Sequence, residues 1–207
     1  DAYLKSKGID QKVKPISILD KDFEAQVSTH KRSKTKAAEV EHAVRHHIEV
    51  DLDDDPELQA SFAEALALIF KEYKDNWERI YKELEKLRQR IKEAEKEPTY
   101  GLHKKKQMPF FRMFKRELFG ADELTEDQVT KLVGLTKDIY EVVECELKMT
   151  GFWESAPARN KLKAQLQEVL LSKDYMDLPN IMDNYSQVIA RIMELADKNN
   201  DRILYAA

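Results

Sequence analysis

At 207 residues, with 42% hydrophobic and 36% charged side chains, the chain suits one domain, or two subdomains sharing a core. Five Gly and six Pro leave little material for sheets and hairpin turns, so the fold is expected to be all-α. A net charge of −4 and a pI near 5.8 argue against a wholesale nucleic-acid binder, although the basic residues are clustered.

The single cysteine, Cys145, rules out an internal disulfide or a four-cysteine zinc site and fits a reducing cytoplasm. Its apolar helical surroundings predict a buried, inert thiol. No apolar run approaches the roughly 20 residues needed to cross a bilayer, and there is no signal peptide. The chain opens Asp1-Ala2-Tyr3 without a methionine and reads as a piece of something larger.

Residues 1–19 have no period and are expected to connect to an upstream domain. Asp20 is expected to cap a short helix carrying Phe23 and Val27. Ser33 is expected to cap the next, over residues 34–50, whose Ala37, Val40, Val44 and Ile48 share one stripe. At about 100° per residue, His42, Arg45, His46 and Glu49 face the other way, with His47 at the stripe's edge. Asp53-Asp54-Asp55-Pro56 is a strong helix start, because acids suit the positive end of the macrodipole and Pro suits the first turn. The stripe that follows (Phe62, Ala65, Ile69, Tyr73, Trp77, Ile80, Leu84, Leu87, Ile91) predicts one long helix, or a pair bent at Asp75-Asn76, up to residue 96. A loop over 96–107 carries His103, Lys104, Lys105 and Lys106. Pro109 opens a short amphipathic helix with Phe110, Phe111, Met113, Phe114 and Leu118, ending at Gly120. Thr125 and Gln128 form a capping box for a helix that Gly151 stops. Two more helices are expected, over about 156–171 and from Pro179 onward. The architecture predicted is an irregular bundle built on an antiparallel hairpin of 56–96 with 125–149. Its subdomains would be 20–97 and 98–207.

Catalytic chemistry finds no support, and no catalytic residue is assigned. No glycine stands in a phosphate-cradling Gly-x-x-x-x-Gly-Lys loop. Asp122-Glu123-Leu124-Thr125 reads as the lead-in to a helix. Glu72-Tyr73-Lys74 and Glu146-Leu147-Lys148 have a nuclease-like spacing, but on helices residues two apart diverge by about 200°. Glu39 and His42 form one Glu-x-x-His, half of a di-iron set whose second half is missing, so no metal ligand is assigned. Three basic clusters remain: Lys31, Arg32, Lys34 and Lys36; Lys104, Lys105, Lys106, Arg112, Lys115 and Arg116; and Arg159, Lys161 and Lys163. The first two are the candidate DNA-backbone contacts. His42, Arg45, His46 and Glu49 are the candidate interdomain or partner face.

The block Glu41-His42-Ala43-Val44-Arg45-His46-His47-Ile48, followed by Asp51-Leu52-Asp53-Asp54-Asp55-Pro56, closely resembles the C-terminal helical region of the R (motor) subunit of type I restriction-modification enzymes. Ile18-Leu19-Asp20-Lys21-Asp22-Phe23, Tyr73-Lys74-Asp75-Asn76-Trp77 and Pro109-Phe110-Phe111 fit the same pattern. The resemblance implies that the parent is an ATP-dependent, site-specific deoxyribonuclease with its nuclease and ATPase lobes elsewhere. It implies that this region docks the subunit on the methyltransferase core and guides DNA. The implied partners are the methyltransferase and specificity subunits, the upstream motor lobe and the double-stranded DNA backbone, in the cytoplasm and away from membranes. The whole enzyme would need ATP, magnesium and S-adenosylmethionine; the fragment itself has no evident site for a cofactor. A helical protein-interaction module without DNA binding and a metal-binding bundle are the alternatives.

Overall fold

A computed structural model describes residues 17–53 and 55–205, and among these residues all regular structure is helical. The chain divides into two units. Unit 1 takes the described residues up to 53 together with 58–97, and unit 2 takes 54–57 together with 98–207. The expected connector lies almost wholly outside the described residues.

In unit 1, α1 spans Phe23–Ser28 and α2 spans Ser33–His46, running into a π-helical turn, His47–Asp51. The stripe predicted for α2 is the buried one: Ala37, Val40, Val44 and Ile48 are at most 3% exposed. Two expected caps differ. The Asp20 carboxylate accepts from the Asp22 N–H at 3.0 Å, a turn that precedes α1 rather than caps it. Ser33 is already helical, Arg32 takes the N-cap position, and no side chain caps α2. The π turn closes with Leu52 N–H donating to the His47 carbonyl at 3.1 Å. The Gln59 amide donates to the Ile48 carbonyl at 3.0 Å, serving a group that the wider turn perturbs.

The bend falls where it was expected. Helix α3, Pro56–Tyr73, and helix α4, Trp77–Glu95, are separated by Lys74 at φ 45° and by Asn76, whose side chain accepts from the Arg79 N–H at 3.2 Å. On α4, Ile80, Leu84, Leu87 and Ile91 are buried at alternating three- and four-residue spacing. Helix α2 packs against α4, and Phe62 and Leu66 of α3 join the same core. The expected hairpin with 125–149 is not confirmed, because the seam of α4 is filled by α2.

In unit 2, α5 (Met108–Phe119), α6 (Glu126–Leu147), α7 (Ala156–Leu170) and α8 (Ile181–Lys198) each pack against two neighbours. Contacts run α5 to α6, α6 to α7, α7 to α8 and α8 back to α5, a closed ring of four. A short α9, Asn200–Tyr205, which the sequence did not signal, leans on α6 and α8. Helix α5 is more deeply set than its amphipathic pattern suggested. Met108, Pro109, Phe110, Phe111, Met113, Phe114, Leu118 and Phe119 are all buried, leaving one polar stripe of Arg112, Lys115 and Arg116. Each buried Phe contributes about 1.5–3 kcal/mol through area removed from water. The Thr125–Gln128 capping box is present in both directions. Helix α8 begins at Ile181 rather than Pro179, because Asn180 adopts a left-handed φ of 58° and its amide donates to the Leu118 carbonyl at 2.9 Å. Cys145 is exposed, correcting the expected burial: Val143 and Leu147 carry the buried stripe of α6, and Cys145 lies two residues from each.

Candidate nucleic-acid and partner surfaces

Lys31, Arg32, Lys34 and Lys36 occupy the N-terminal end of α2. Lys31, Arg32 and Lys34 are exposed, and Lys36 is half-buried. No acid lies in the first helical turn and no side chain caps it, so the positive end of the helix macrodipole adds to the four cations. Among the described residues none of the four forms an ion pair. Two of them are positioned by aromatic rings of α4: the Lys34 ammonium sits 4.9 Å from the Trp77 ring centre and that of Lys36 sits 5.8 Å from Tyr81. A cation over an aromatic face at an exposed site gains about 0.5–1 kcal/mol, enough to bias the side chain without neutralising it. The result is a positively charged end of α2.

The second basic cluster is split. Lys104 and Lys105 are exposed and Lys106 half-buried on a turn that is itself tightly bonded. His103 N–H donates to the Gln107 side chain at 2.9 Å, and Lys106 N–H donates to the His103 ring at 3.2 Å. Arg112 and Arg116 instead turn to carboxylates of their own unit. Arg112 bonds Asp55, which is 2% exposed, and Arg116 bonds Glu57, which is 9% exposed. From α8, Arg191 reaches the same Glu57 at 2.5 Å and Glu194 at 2.6 Å. Glu117 joins Arg116 at 3.0 Å and accepts from Gln187 at 2.8 Å. Burial pulls the Arg191 pKa down, but Glu57 and Glu194 outweigh it, so the net shift is upward and the guanidinium stays charged. Lys115, on the same stripe of α5, is half-buried. The third cluster is also largely engaged: Arg159 donates to the Trp153 carbonyl and Lys161 to Glu146 at 2.7 Å.

Sequence reasoning read Asp53-Asp54-Asp55 only as a helix start. It missed Asp55 and Glu57 as the partners of Arg112, Arg116 and Arg191, residues 57 to 134 positions away. No local pattern encodes such a pairing.

On the other face of α2, His42, Arg45 and Glu49 are exposed and His46 is half-buried, as helical phase predicted. Arg45 donates to Glu41 one turn back at 2.9 Å. His47 is the odd member. It is 2% exposed, its Nδ1 lies 2.7 Å from Asp51, and among the described residues no partner meets its Nε2. The same face therefore offers three exposed polar side chains, His42, Arg45 and Glu49, and one half-buried ring, while the third histidine belongs to the core.

Among the described residues the glycines do not build a phosphate cradle. Gly101, Gly120 and Gly151 make positive-φ turns and Gly134 lies inside α6, where a Cβ would meet the Tyr175 hydroxyl at 3.1 Å. Among the described residues no group of three His, Cys, Asp or Glu side chains is placed to hold a metal ion, and no helix is long and apolar enough to cross a membrane. No curated protein and no solved structure matches the chain. The family model described as "Type I restriction enzyme HindI endonuclease subunit-like, C-terminal" matches residues 5–201. With nearly its whole length inside that match, the chain belongs to the family of C-terminal domains of HindI-like type I restriction enzyme endonuclease subunits.

Proposed function

We propose that this domain is a non-catalytic part of its restriction enzyme, which docks the motor and nuclease portions onto the methyltransferase core and touches the DNA backbone without reading sequence. Family membership supports the setting, since the family is named for an endonuclease subunit. The observation that carries the DNA contact is the end of α2, where four cations, none ion-paired among the described residues, gather at a helix N-terminus that no side chain caps. Lys104, Lys105 and Lys106 extend the contact in unit 2. ATP, magnesium and S-adenosylmethionine would be bound elsewhere in the enzyme.

The docking contact falls to His42, Arg45, His46 and Glu49, polar residues that oppose the buried stripe of α2. Partners would be the upstream motor lobe and the methyltransferase and specificity subunits. Arg45→Ala with His46→Ala should weaken assembly of the complex on size-exclusion chromatography and lower restriction. Unchanged assembly and unchanged restriction would remove these residues from the interface. For DNA, charge reversal at Lys104, Lys105 and Lys106 should lessen the salt dependence of binding to duplex DNA.

A further inference from the structure

We propose that Arg112, Lys115, Arg116 and Arg191 form a second duplex-DNA backbone site, held closed by the chain's own Asp55 and Glu57. The inference rests on the DNA-contact reading above and adds a regulation to it.

The geometry is that of an anion site already filled from within. Arg112, Lys115 and Arg116 fall at i, i+3 and i+4 on α5, so their side chains leave the helix on one stripe. Arg191 comes from α8, the helix packed beside it. Such a convergence of cations on one patch is costly unless anions meet it. Here four carboxylates do: Asp55, Glu57, Glu117 and Glu194. The patch is thereby neutral, which explains why a cluster that reads as basic in sequence shows little free positive charge.

Two of the four acids differ from the rest. Glu117 and Glu194 are on the same helices as Arg116 and Arg191 and travel with them. Asp55 and Glu57 come from a segment distant in sequence and are nearly dry; of the other two, Glu117 is about as deeply set, at 10% side-chain exposure, and Glu194 is open at 68%. Guanidinium groups held by carboxylate are built for phosphate as well, because both ligands offer paired oxygens to the planar fork. A polyanion also releases condensed counterions when it replaces the carboxylates, a gain that an internal acid does not provide. The Arg116 side chain is 49% exposed and Arg191 30%, so a backbone can approach without unfolding α5 or α8.

The test is fluorescence anisotropy of the intact 207-residue chain on a mixed-sequence duplex, across a salt series. Asp55→Asn with Glu57→Gln leaves two carboxylates against four cations. It should tighten binding by about tenfold at low salt and steepen the log–log salt slope by about 2, as expected for two or three added phosphate contacts. Arg116→Gln placed in that background should take most of the gain back. Should the double variant fail to fold by circular dichroism, Glu57→Gln alone keeps the Asp55–Arg112 pair and should still tighten binding two- to threefold. Wild-type binding with a clear salt slope, but no tightening in either variant, would overturn the inference and leave the DNA reading standing. No salt-dependent binding by the wild type would overturn the reading itself.

Discussion

Both units bury charge, and they do it in opposite senses. In unit 1 the buried charge is a cation. Arg88 is fully buried between α1 and α4, donating to Glu85 at 2.8 and 3.1 Å and to Glu24 at 3.2 Å, with its guanidinium 5.3 Å from the Phe23 ring. Its partners are wetter, Glu85 at 22% and Glu24 at 70% side-chain exposure. In unit 2 the buried charges are carboxylates, and their arginine partners are the wetter members, from 12% side-chain exposure at Arg112 to 49% at Arg116. The asymmetry decides what is left when a pair is broken. Removing Arg88 leaves acids that water can reach. Removing an arginine of unit 2 leaves a dry carboxylate.

The largest expected effect follows from that contrast. Arg112→Met should destabilise unit 2 by about 3–5 kcal/mol, because the Asp55 carboxylate stays buried without its guanidinium. Arg88→Met, similar in volume and apolar, should cost about 1 kcal/mol or less, since one Arg88 nitrogen has no partner among the described residues and Glu85 and Glu24 rehydrate. Urea unfolding of the two variants measures both. Equal losses would erase the distinction between the units.

A second contrast concerns two buried tyrosines of unit 2. Burial pushes the Tyr140 hydroxyl up to about 12, with Glu144 adding to the shift. Tyr175 is raised further, by burial first and then by its 2.5 Å bond to Asp138. A raised pKa means that stability is fully present below the unfolded value near 10 and is lost as pH rises through the folded value, because only the unfolded chain ionises between them. Chemical denaturation between pH 9 and 11.5 should show a falling limb of at most about 1.4 kcal/mol per pH unit for each tyrosine, flattened by the Phe substitutions. At neutral pH the two should separate. Tyr175→Phe loses a bond to a charged acceptor and should cost about 1.5–3 kcal/mol. Tyr140→Phe should be neutral or slightly stabilising, because no described residue meets the Tyr140 hydroxyl.

Smaller still are the helix caps. Thr125→Ala in unit 2 and Asn76→Ala in unit 1 each remove one N-cap acceptor and should cost about 1 kcal/mol by thermal melting. A much larger loss at Asn76 would mark the 74–76 break as more than a capped turn.

What the sequence revealed and what it hid follow the same division between near and far. Helical period located the stripes of α2 and α4, the bend at Asn76, the capping box at Thr125 and the stop at Gly120, since each depends on residues within one or two turns. The partner of α4 was not legible: its seam accepts any complementary apolar stripe, and α2 offers one as good as that of 125–149. Arg88 and Asp55 were hidden for a related reason. A buried ion looks like a surface ion until the residue across from it is known, and Glu24 lies 64 positions from Arg88. Among the candidate site residues, exposure of His42, Arg45 and Glu49 was readable from phase, whereas the engagement of Arg112 and Arg116 was not. Cys145 shows the limit of composition: apolar neighbours on a helix say nothing of burial unless the phase is counted.

If the cations at the start of α2 meet DNA phosphates, as proposed, the salt dependence of duplex binding shows it most directly. Binding constants taken across a salt series should fall linearly on log–log axes, and Lys31→Gln with Lys34→Gln should reduce the slope by about 2 while leaving the helical circular dichroism unchanged. A flat salt response in the wild type, or an identical slope in the variant, would contradict the account.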